Sequence, residues 1–240
     1  MTLTSRLVNA TMERLMRMLC RIDDVQLVRV PAQGPLILVS NHINFLEPPV
    51  LYTHLLPRPM AFFAKVESWD NRFLGLLFDM WGGIPIKRGT ADVGAIRLGL
   101  AALEKGAILA VAPEGTRSGD GILGKGHSGV VIMALRSGAP IIPMAGYRHE
   151  DFWDNLTHLR RTDFRIAVGN PFSLQTNDVP TTREVRQQMI DEIMYQIAAL
   201  LPPSYRGVYA SLSAATETYL RFPATSESNL QRTLDRESSL

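Results

Sequence analysis

Two short stretches of the chain combine residue types that can move a proton during a reaction on an anionic substrate. The first, residues 41–47, contains His42 and Glu47, and the second, residues 114–117, ends in Arg117. A histidine can act as a general base near neutral pH, and a carboxylate bonded to one ring nitrogen fixes its tautomer. An arginine offers a planar fork that suits phosphate. The two stretches therefore predict base catalysis beside an anion site.

The separation of His42 and Glu47 matters, because residues five apart on one continuous helix point in different directions. The prolines at positions 48 and 49 favour a turned segment instead. A residue before proline avoids the helical conformation, and proline suits the first turn of a helix. A lone histidine is more often structural, but a turn that brings a carboxylate to it favours His42 as base and Glu47 as the group that orients it.

The anion site is predicted around Arg117, where Gly115 would let the backbone approach a ligand closely. The same composition is typical of a surface turn with an incidental charge pair. Arg88 follows a predicted strand at residues 83–86 and would bring further positive charge to this edge, although basic residues after a strand are usually solvated. The composition alone leaves both interpretations open.

Short β-type runs alternate with helical patterns, which predicts an α/β fold with a mostly parallel central sheet flanked by helices. Strands are predicted at Val25–Val30, Leu36–Ser40, Ala61–Ala64, Gly83–Ile86, Ala107–Ala112, Pro140–Ala145 and Phe164–Val168. Helices are predicted at Pro49–Leu55, Asn71–Met80, Val93–Glu104, Ser128–Ser137 and Arg183–Leu200. Both chemical stretches follow buried strands, and open sheets place their ligands at the carboxyl ends of strands.

The chain divides into one α/β domain, residues 23–204, with a segment on each side. Residues 1–22 place apolar side chains at helical spacing among arginines, the pattern of an amphipathic N-terminal helix. Such a helix can lie on a membrane surface or pack on the protein's own core. Residues 205–240 are polar and predict a loosely attached tail or one weak helix.

Composition excludes several classes of function. The net charge of +2, from 25 basic and 23 acidic residues, gives no reason to expect a nucleic-acid partner. With Cys20 as the only cysteine and no zinc-type pairing among the five histidines, neither a disulfide nor a metal site is expected. A reducing cytosolic setting fits. No charge-free apolar run reaches about 18 residues, so a transmembrane helix is not predicted.

The motifs together resemble the glycerophospholipid acyltransferase family, and within it the lysophosphatidate acyltransferases. The family's histidine, arginine, E-G-T-R and proline-strand blocks correspond to residues 41–47, 83–88, 112–118 and 140–143. The chain departs from the family pattern at Glu47, where the family has aspartate, and at Ala112, where it has phenylalanine. Glutamate keeps the charge on an arm one methylene longer, and the alanine is expected to reshape packing around an acyl chain.

The resemblance implies transfer of a fatty acyl group from acyl-CoA or an acyl carrier protein to a hydroxyl of a lysophospholipid, with 1-acylglycerol-3-phosphate as the expected acceptor. His42 would be the base and Glu47 would orient it. Substrate-binding roles are implied for Asn41, Lys65, Arg88, Glu114, Gly115, Thr116 and Arg117. The thioester is a co-substrate, so no cofactor or metal is expected. The expected location is peripheral, on the cytoplasmic face of a membrane.

Three alternatives remain open at this point. The acceptor could be another glycerolipid, or water could replace it, which would make the protein a thioesterase. The absence of a G-x-S-x-G stretch argues against the serine version of such an enzyme. The glutamate at position 47 also leaves room for a lipid-binding protein without catalysis.

Overall fold

The computed structural model describes residues 2–87 and 92–238. Strands in this part of the chain are β1 (Cys20–Asp23), β2 (Leu36–Ser40), β3 (Met60–Lys65), β4 (Gly83–Ile86), β5 (Ile108–Val111), β6 (Ile141–Tyr147), β7 (Thr162–Val168), β8 (Ser173–Leu174) and β9 (Leu220–Arg221). The first seven form one sheet in the order β1-β7-β6-β2-β5-β3-β4. Every neighbouring pair is parallel except β6 and β7. The predicted mostly parallel sheet is therefore confirmed.

Helices flank this sheet. They are α1 (Leu3–Leu19), α2 (Glu47–His54), α3 (Arg72–Trp81), α4 (Val93–Glu104), α5 (Gly129–Ser137), α6 (Phe152–Thr157), α7 (Arg183–Ala198) and α8 (Asn229–Ser238). Their ends follow local chemistry: Asn71 accepts hydrogen bonds from two backbone amides at the start of α3, and Asp92 caps α4 in the same way. Gly82 ends α3 with a φ of 76°, a conformation that favours glycine.

Strand β2 shows how the layers form. All five of its residues are buried, and successive side chains point to opposite faces of the sheet. Ile37 and Val39 pack into one core with α4, α5 and α7. Leu36 and Leu38 pack into a second core with α1 and α2. Burial on both faces places β2 in the interior of the sheet. Its carboxyl end lies at the edge of the sheet where the neighbouring parallel strands also end.

The N-terminal segment differs from the expected helix over residues 1–22, because α1 ends at Leu19 and the next four residues form the edge strand β1. The Arg161 guanidinium donates to the carbonyl oxygens of Arg17 at 2.6 Å and Cys20 at 2.7 Å, which satisfies the helix end where the chain turns into the sheet. One face of α1 packs on the core through Met16, while Leu3 and Leu7 on another face are exposed.

Residues Val25–Arg29 form a 3-10 helix, so the strand predicted at Val25–Val30 is wrong. Leu27 and Val30 are buried and Val28 is exposed. Apolar burial every third residue matches the 3-10 period of three residues per turn. The β-branched residues in this stretch gave a strand signal that the packing overrides.

The segment after Tyr205 is packed on the domain, which corrects the expectation of a loosely attached tail. Buried Glu192 on α7 accepts hydrogen bonds from the Thr216 hydroxyl at 2.7 Å and the Tyr219 backbone amide at 2.9 Å. Strand β9 pairs with β8, and Leu230 of α8 enters the core. Short α6 and the β8–β9 pair also lie where no element was predicted, since their apolar residues are too scattered to show a period.

Candidate active site

The candidate site lies at the sheet edge where parallel strands end. We call residues 41–47, after β2, the base turn, and residues 113–118, after β5, the arginine turn. Two backbone hydrogen bonds join the end of the arginine turn to the base turn. The Ser118 amide donates to the His42 carbonyl oxygen at 2.8 Å, and the amide of the next residue, Gly119, donates to the Ile43 carbonyl oxygen at 3.1 Å. The two predicted motifs therefore meet through their backbones.

The base turn is folded back on itself, as the two following prolines predict. Glu47 directs its Oε1 toward the backbone amides of Ile43 and Asn44, at 2.7 and 3.1 Å. Asn44 in turn accepts a hydrogen bond from the amide of Leu46 at 2.9 Å. One detail differs from expectation. Glu47 is itself the first residue of α2, because the prolines occupy the next two positions, where no backbone N–H is needed.

This fold brings the two candidate catalytic side chains together. His42 Nδ1 lies 3.2 Å from Glu47 Oε2, and the side chains retain 17% and 6% of their exposure. A carboxylate accepts only, so the contact places a hydrogen on Nδ1 and leaves the Nε2 lone pair free. That tautomer is the one a general base requires.

Glu47 has a further partner that the sequence did not reveal. His149 Nε2 lies 2.8 Å from Glu47 Oε1, and His149 is fully buried. Burial raises the pKa of the Glu47 carboxyl, but the hydrogen bonds from His149 and His42 outweigh it and lower the pKa to about 2. The carboxylate is therefore charged at neutral pH. The only sequence signal was that His149 follows the predicted strand ending at Ala145, whose carboxyl end lies at the ligand edge.

Two other predicted site residues bond to backbone. Asn41 is buried, and its side-chain amide exchanges two hydrogen bonds with the backbone of Gly146, at 2.8 and 2.9 Å, which ties β2 to β6. Glu114 is also buried and accepts hydrogen bonds from the amides of His42 at 2.9 Å and Gly124 at 2.8 Å. Burial raises the pKa of Glu114, and the two amide bonds oppose that rise. These contacts hold the site together, while binding of substrate by either residue stays a prediction.

The remaining predicted binding residues are more open. Gly115 has a φ of 68°, and Thr116 and Arg117 are exposed. Lys65 ends β3 at the same sheet edge and is exposed. Within residues 2–87 and 92–238, no hydrogen bond or ion pair involves the Arg117 side chain. Arg88 lies outside the described residues.

A cavity of about 440 Å³ opens beside His42. Its lining includes the polar residues Ser40, His42, Glu47, Asp92, His127 and Ser128, and its walls are mostly apolar. The wall side chains come from α2, β3, β4, α4, β5 and α5: Leu51, Tyr52, Met60, Phe62, Phe63, Ile86, Ile96, Ala110, Val111 and Met133. Ala112 also lines it, at the position where a larger side chain would narrow the space. Such a cavity suits an apolar chain with its reactive end near the base.

Two negative findings concern the described part of the chain. It contains no group of three or more histidine, cysteine, aspartate or glutamate side chains placed to hold a metal ion. It also contains no helix with both the length and the apolar character needed to cross a membrane.

Comparison with known proteins gives matches to acyltransferases. The sequence profile of the acyltransferase family matches residues 21–146, a little over half of the chain. The chain is 34% identical over 113 residues to the chloroplastic 1-acyl-sn-glycerol-3-phosphate acyltransferase of Brassica napus, covering 46% of this chain and 32% of that protein. It is 31% identical over 128 residues to the lyso-ornithine lipid O-acyltransferase of Pseudomonas aeruginosa, covering 51% and 48%.

A solved structure gives the same picture of the fold. The 1-acyl-sn-glycerophosphate acyltransferase PlsC of Thermotoga maritima superposes with a TM-score of 0.56 at 19% identity, over 79% of this chain and 76% of that one. The chain spans about a third of the length of the Brassica protein and about half of the Pseudomonas protein. The segment that the family profile matches, residues 21–146, includes both the base turn and the arginine turn.

Proposed function

Since this chain belongs to the acyltransferase family, we propose that it moves a fatty acyl group from an acyl thioester to a hydroxyl of a lysophospholipid, with 1-acylglycerol-3-phosphate as the acceptor. The observation that carries the proposal is the His42–Glu47 contact of 3.2 Å in the lining of a mostly apolar cavity. A base beside an apolar cavity suits a reaction between a hydroxyl and the activated end of a fatty chain.

The proposed reaction uses the free lone pair on His42 Nε2. His42 Nε2 takes the proton of the acceptor hydroxyl as that oxygen bonds to the thioester carbonyl carbon. Glu47 stabilises the positive charge that forms on the imidazole. When the tetrahedral intermediate collapses, the carbon–sulfur bond breaks and His42 returns the proton to the leaving thiolate. A base held in this way contributes on the order of 10²–10⁴ in rate.

We assign the acceptor phosphate to the arginine turn. The backbone beside Arg117 is fixed to the base turn by the Ser118 amide, and the Arg117 guanidinium is exposed. A guanidinium can hold a phosphate through two parallel hydrogen bonds. Lys65 and Arg88, which end or follow neighbouring strands, would add positive charge at the same edge.

An assay with lysophosphatidate tests the reaction class. The purified chain is incubated with the acceptor and with either acyl-CoA or acyl carrier protein, and the His42→Gln variant serves as the matched control. Phosphatidate that depends on His42 supports the proposal, and comparison of the two arms identifies the donor. Free fatty acid in place of phosphatidate would identify a thioesterase, and no turnover would leave a lipid-binding role. Lyso-ornithine lipid forms a third acceptor arm, because one relative is named for it.

The membrane surface is proposed as a partner through α1. Leu3, Leu7, Arg14 and Met18 are spaced four, seven and four residues apart, so they follow one helix face, and all four are exposed. Apolar and basic side chains on one face suit an anionic lipid surface. This would place the protein at the periphery of a membrane, on the cytoplasmic side.

A liposome experiment tests this surface. Leu3→Ser with Leu7→Ser should weaken sedimentation with anionic liposomes, and added salt should weaken that of the wild type, since salt screens the arginines. Val208→Ser is the matched control, because Val208 is 68% exposed and Leu7 69%. Equal sedimentation of the double variant and the control would limit α1 to its core-packing role.

A further inference from the structure

His149 is buried in an unusual way for a histidine. Its side chain has no exposure, and its ring stacks on Phe164 with centroids 3.9 Å apart. Its Nε2 lies 2.8 Å from Glu47 Oε1, while its Nδ1 is buried without a hydrogen-bond partner among the described residues. The ring therefore makes one polar contact, and that contact is to the carboxylate beside the candidate base.

This arrangement fixes the position of the hydrogen on the ring. A hydrogen on Nδ1 would be a buried donor without an acceptor, and Glu47 Oε1 would face a nitrogen lone pair. Both are costly for buried polar atoms. The hydrogen therefore lies on Nε2 and points at Glu47. An apolar side chain could fill the same space without leaving Nδ1 unpaired, so the hydrogen bond to Glu47 is the feature that distinguishes histidine here.

The four donors around Glu47 divide unequally between its two oxygens. Oε1 accepts from the amides of Ile43 and Asn44 and from His149, while Oε2 faces His42. The two amides come from the turn that Glu47 itself closes. His149 comes from the end of β6, 102 residues along the chain. It is the donor that ties the carboxylate to the sheet.

We propose that His149 is a positioning residue: by binding Glu47 Oε1 it sets the rotation of the carboxylate, so that Oε2 holds the hydrogen of His42 on Nδ1. A glutamate side chain has three rotatable bonds, and a carboxylate that turned away from His42 would no longer hold the hydrogen on Nδ1, so both tautomers of His42 would become populated. The inference rests on the proposed function only in making His42 the base. Asn44 supports it, because its side chain donates to the His149 carbonyl oxygen at 2.7 Å.

The test uses three substitutions at one position. His149→Leu removes the hydrogen-bond donor and fills the space of the imidazole ring with an apolar side chain. His149→Gln places an amide nitrogen at about the reach of Nε2, whereas His149→Asn stops one methylene short. We expect kcat to fall roughly 10- to 100-fold in the Leu and Asn variants, the range typical of groups one step removed from the reacting atoms. The Gln variant should keep most of kcat, and KM for both substrates should stay near wild type in all three.

A second readout does not depend on activity. Nitrogen-15 NMR of labelled histidines reports the tautomer of His42, with the His42→Gln protein providing the assignment. The wild type and His149→Gln should show His42 with its hydrogen on Nδ1, and His149→Leu and His149→Asn should show a mixture. If the wild type transfers no acyl group, this tautomer shift still tests the positioning role separately from the proposed function.

Two results would overturn the positioning role of His149. A folded Leu variant with the kcat and the His42 tautomer of the wild type would reduce His149 to a packing residue. If the Leu variant does not fold, equal kcat and equal tautomer in the Gln and Asn variants would overturn the proposal, since these two differ in reach toward Glu47 and share the same amide group.

Discussion

The base turn and the arginine turn lie side by side at one sheet edge, but most of their side chains are held in opposite ways. The exception is Glu114 in the arginine turn, which is buried and accepts two backbone hydrogen bonds. In the base turn, Asn41, Asn44 and Glu47 all bond to neighbouring backbone or side chains. In the arginine turn, Thr116 and Arg117 are exposed and make no side-chain hydrogen bond to the described residues. Both backbones are fixed, so the difference lies in the side chains.

This difference matches what each turn would do. Charge forms on the base during the reaction, and groups already oriented toward that charge need no reorganisation when it appears. A phosphate arrives with the substrate, and the guanidinium that meets it can be ordered by the ligand itself. The base turn is therefore organised by the fold, whereas the arginine turn is expected to be organised by its substrate. The following predictions test that contrast, from the largest expected effect on turnover to the smallest, and then on stability.

Removing the base should have the largest effect. His42→Ala is expected to lower acyl transfer by about 10³–10⁴-fold, the upper range for a positioned general base, because it removes the base that Glu47 orients. Initial rates of phosphatidate formation measure it. His158→Ala, at an exposed histidine, is the matched control and should keep wild-type rates. A folded His42→Ala protein within tenfold of wild type would remove His42 from the mechanism.

The next effect should come from the group that orients the base. Glu47→Gln is expected to lower kcat by about 10²–10³-fold, because a neutral amide stabilises an imidazolium poorly and can favour the wrong tautomer of His42. Glu47→Asp keeps the charge on a shorter arm that cannot span both His42 and His149, so its loss should be smaller. Normal turnover in a Gln variant that only melts lower would show that Glu47 serves the fold alone.

A smaller and more selective effect is expected in the arginine turn. Arg117→Ala should raise the KM for lysophosphatidate and lower kcat/KM by about tenfold to a hundredfold, and lysine should rescue it partly, since it offers a point charge in place of a fork. Kinetics with an acceptor that lacks phosphate, such as monoacylglycerol, provide the control. The same loss on both acceptors would contradict the assignment of phosphate to Arg117.

Much of this contrast could be anticipated from the sequence. The buried run Leu36–Ser40 places His42 at a strand end, and the prolines after Glu47 indicate the turn that brings the two side chains together. These are local signals. The arrangement around Glu47 could be anticipated only in part, because its contact with His149 joins residues 102 positions apart through the pairing of β2 with β6.

Dependence on contacts between distant residues also explains the two largest differences between the predicted and the observed fold. The segment after Tyr205 is rich in polar residues, yet Leu220 and Leu230 are buried against distant elements. At Val25–Arg29 the β-branched residues suggested a strand, while Leu27 and Val30, three residues apart, are the buried positions. Local composition predicts an element well when the element is long and regular, and poorly when packing partners decide its shape.

The last effect should appear in stability, and it separates the two turns without any substrate. The pKa of Glu47 is lowered from its ordinary value of 4.5 to about 2, so its charged form stabilises the folded protein above pH 4.5. That contribution is lost as pH falls from 4.5 toward 2, because over this range the unfolded state takes up the proton while the folded state does not. The advantage of wild type over Glu47→Gln in unfolding free energy should therefore be greatest above pH 4.5 and should shrink by on the order of 3 kcal/mol as the pH falls toward 2. Arg117→Ala should follow the wild-type curve within about 0.5 kcal/mol at every pH, as expected for an exposed side chain with no hydrogen-bond or ion-pair partner in the described part of the chain. Urea titrations of the three proteins between pH 2.5 and 7, in steps of about half a unit chosen to bracket the carboxyl titration range, measure these curves. Parallel curves for wild type and Glu47→Gln would mean that the base turn does not hold Glu47 charged, and the contrast between the two turns would fail.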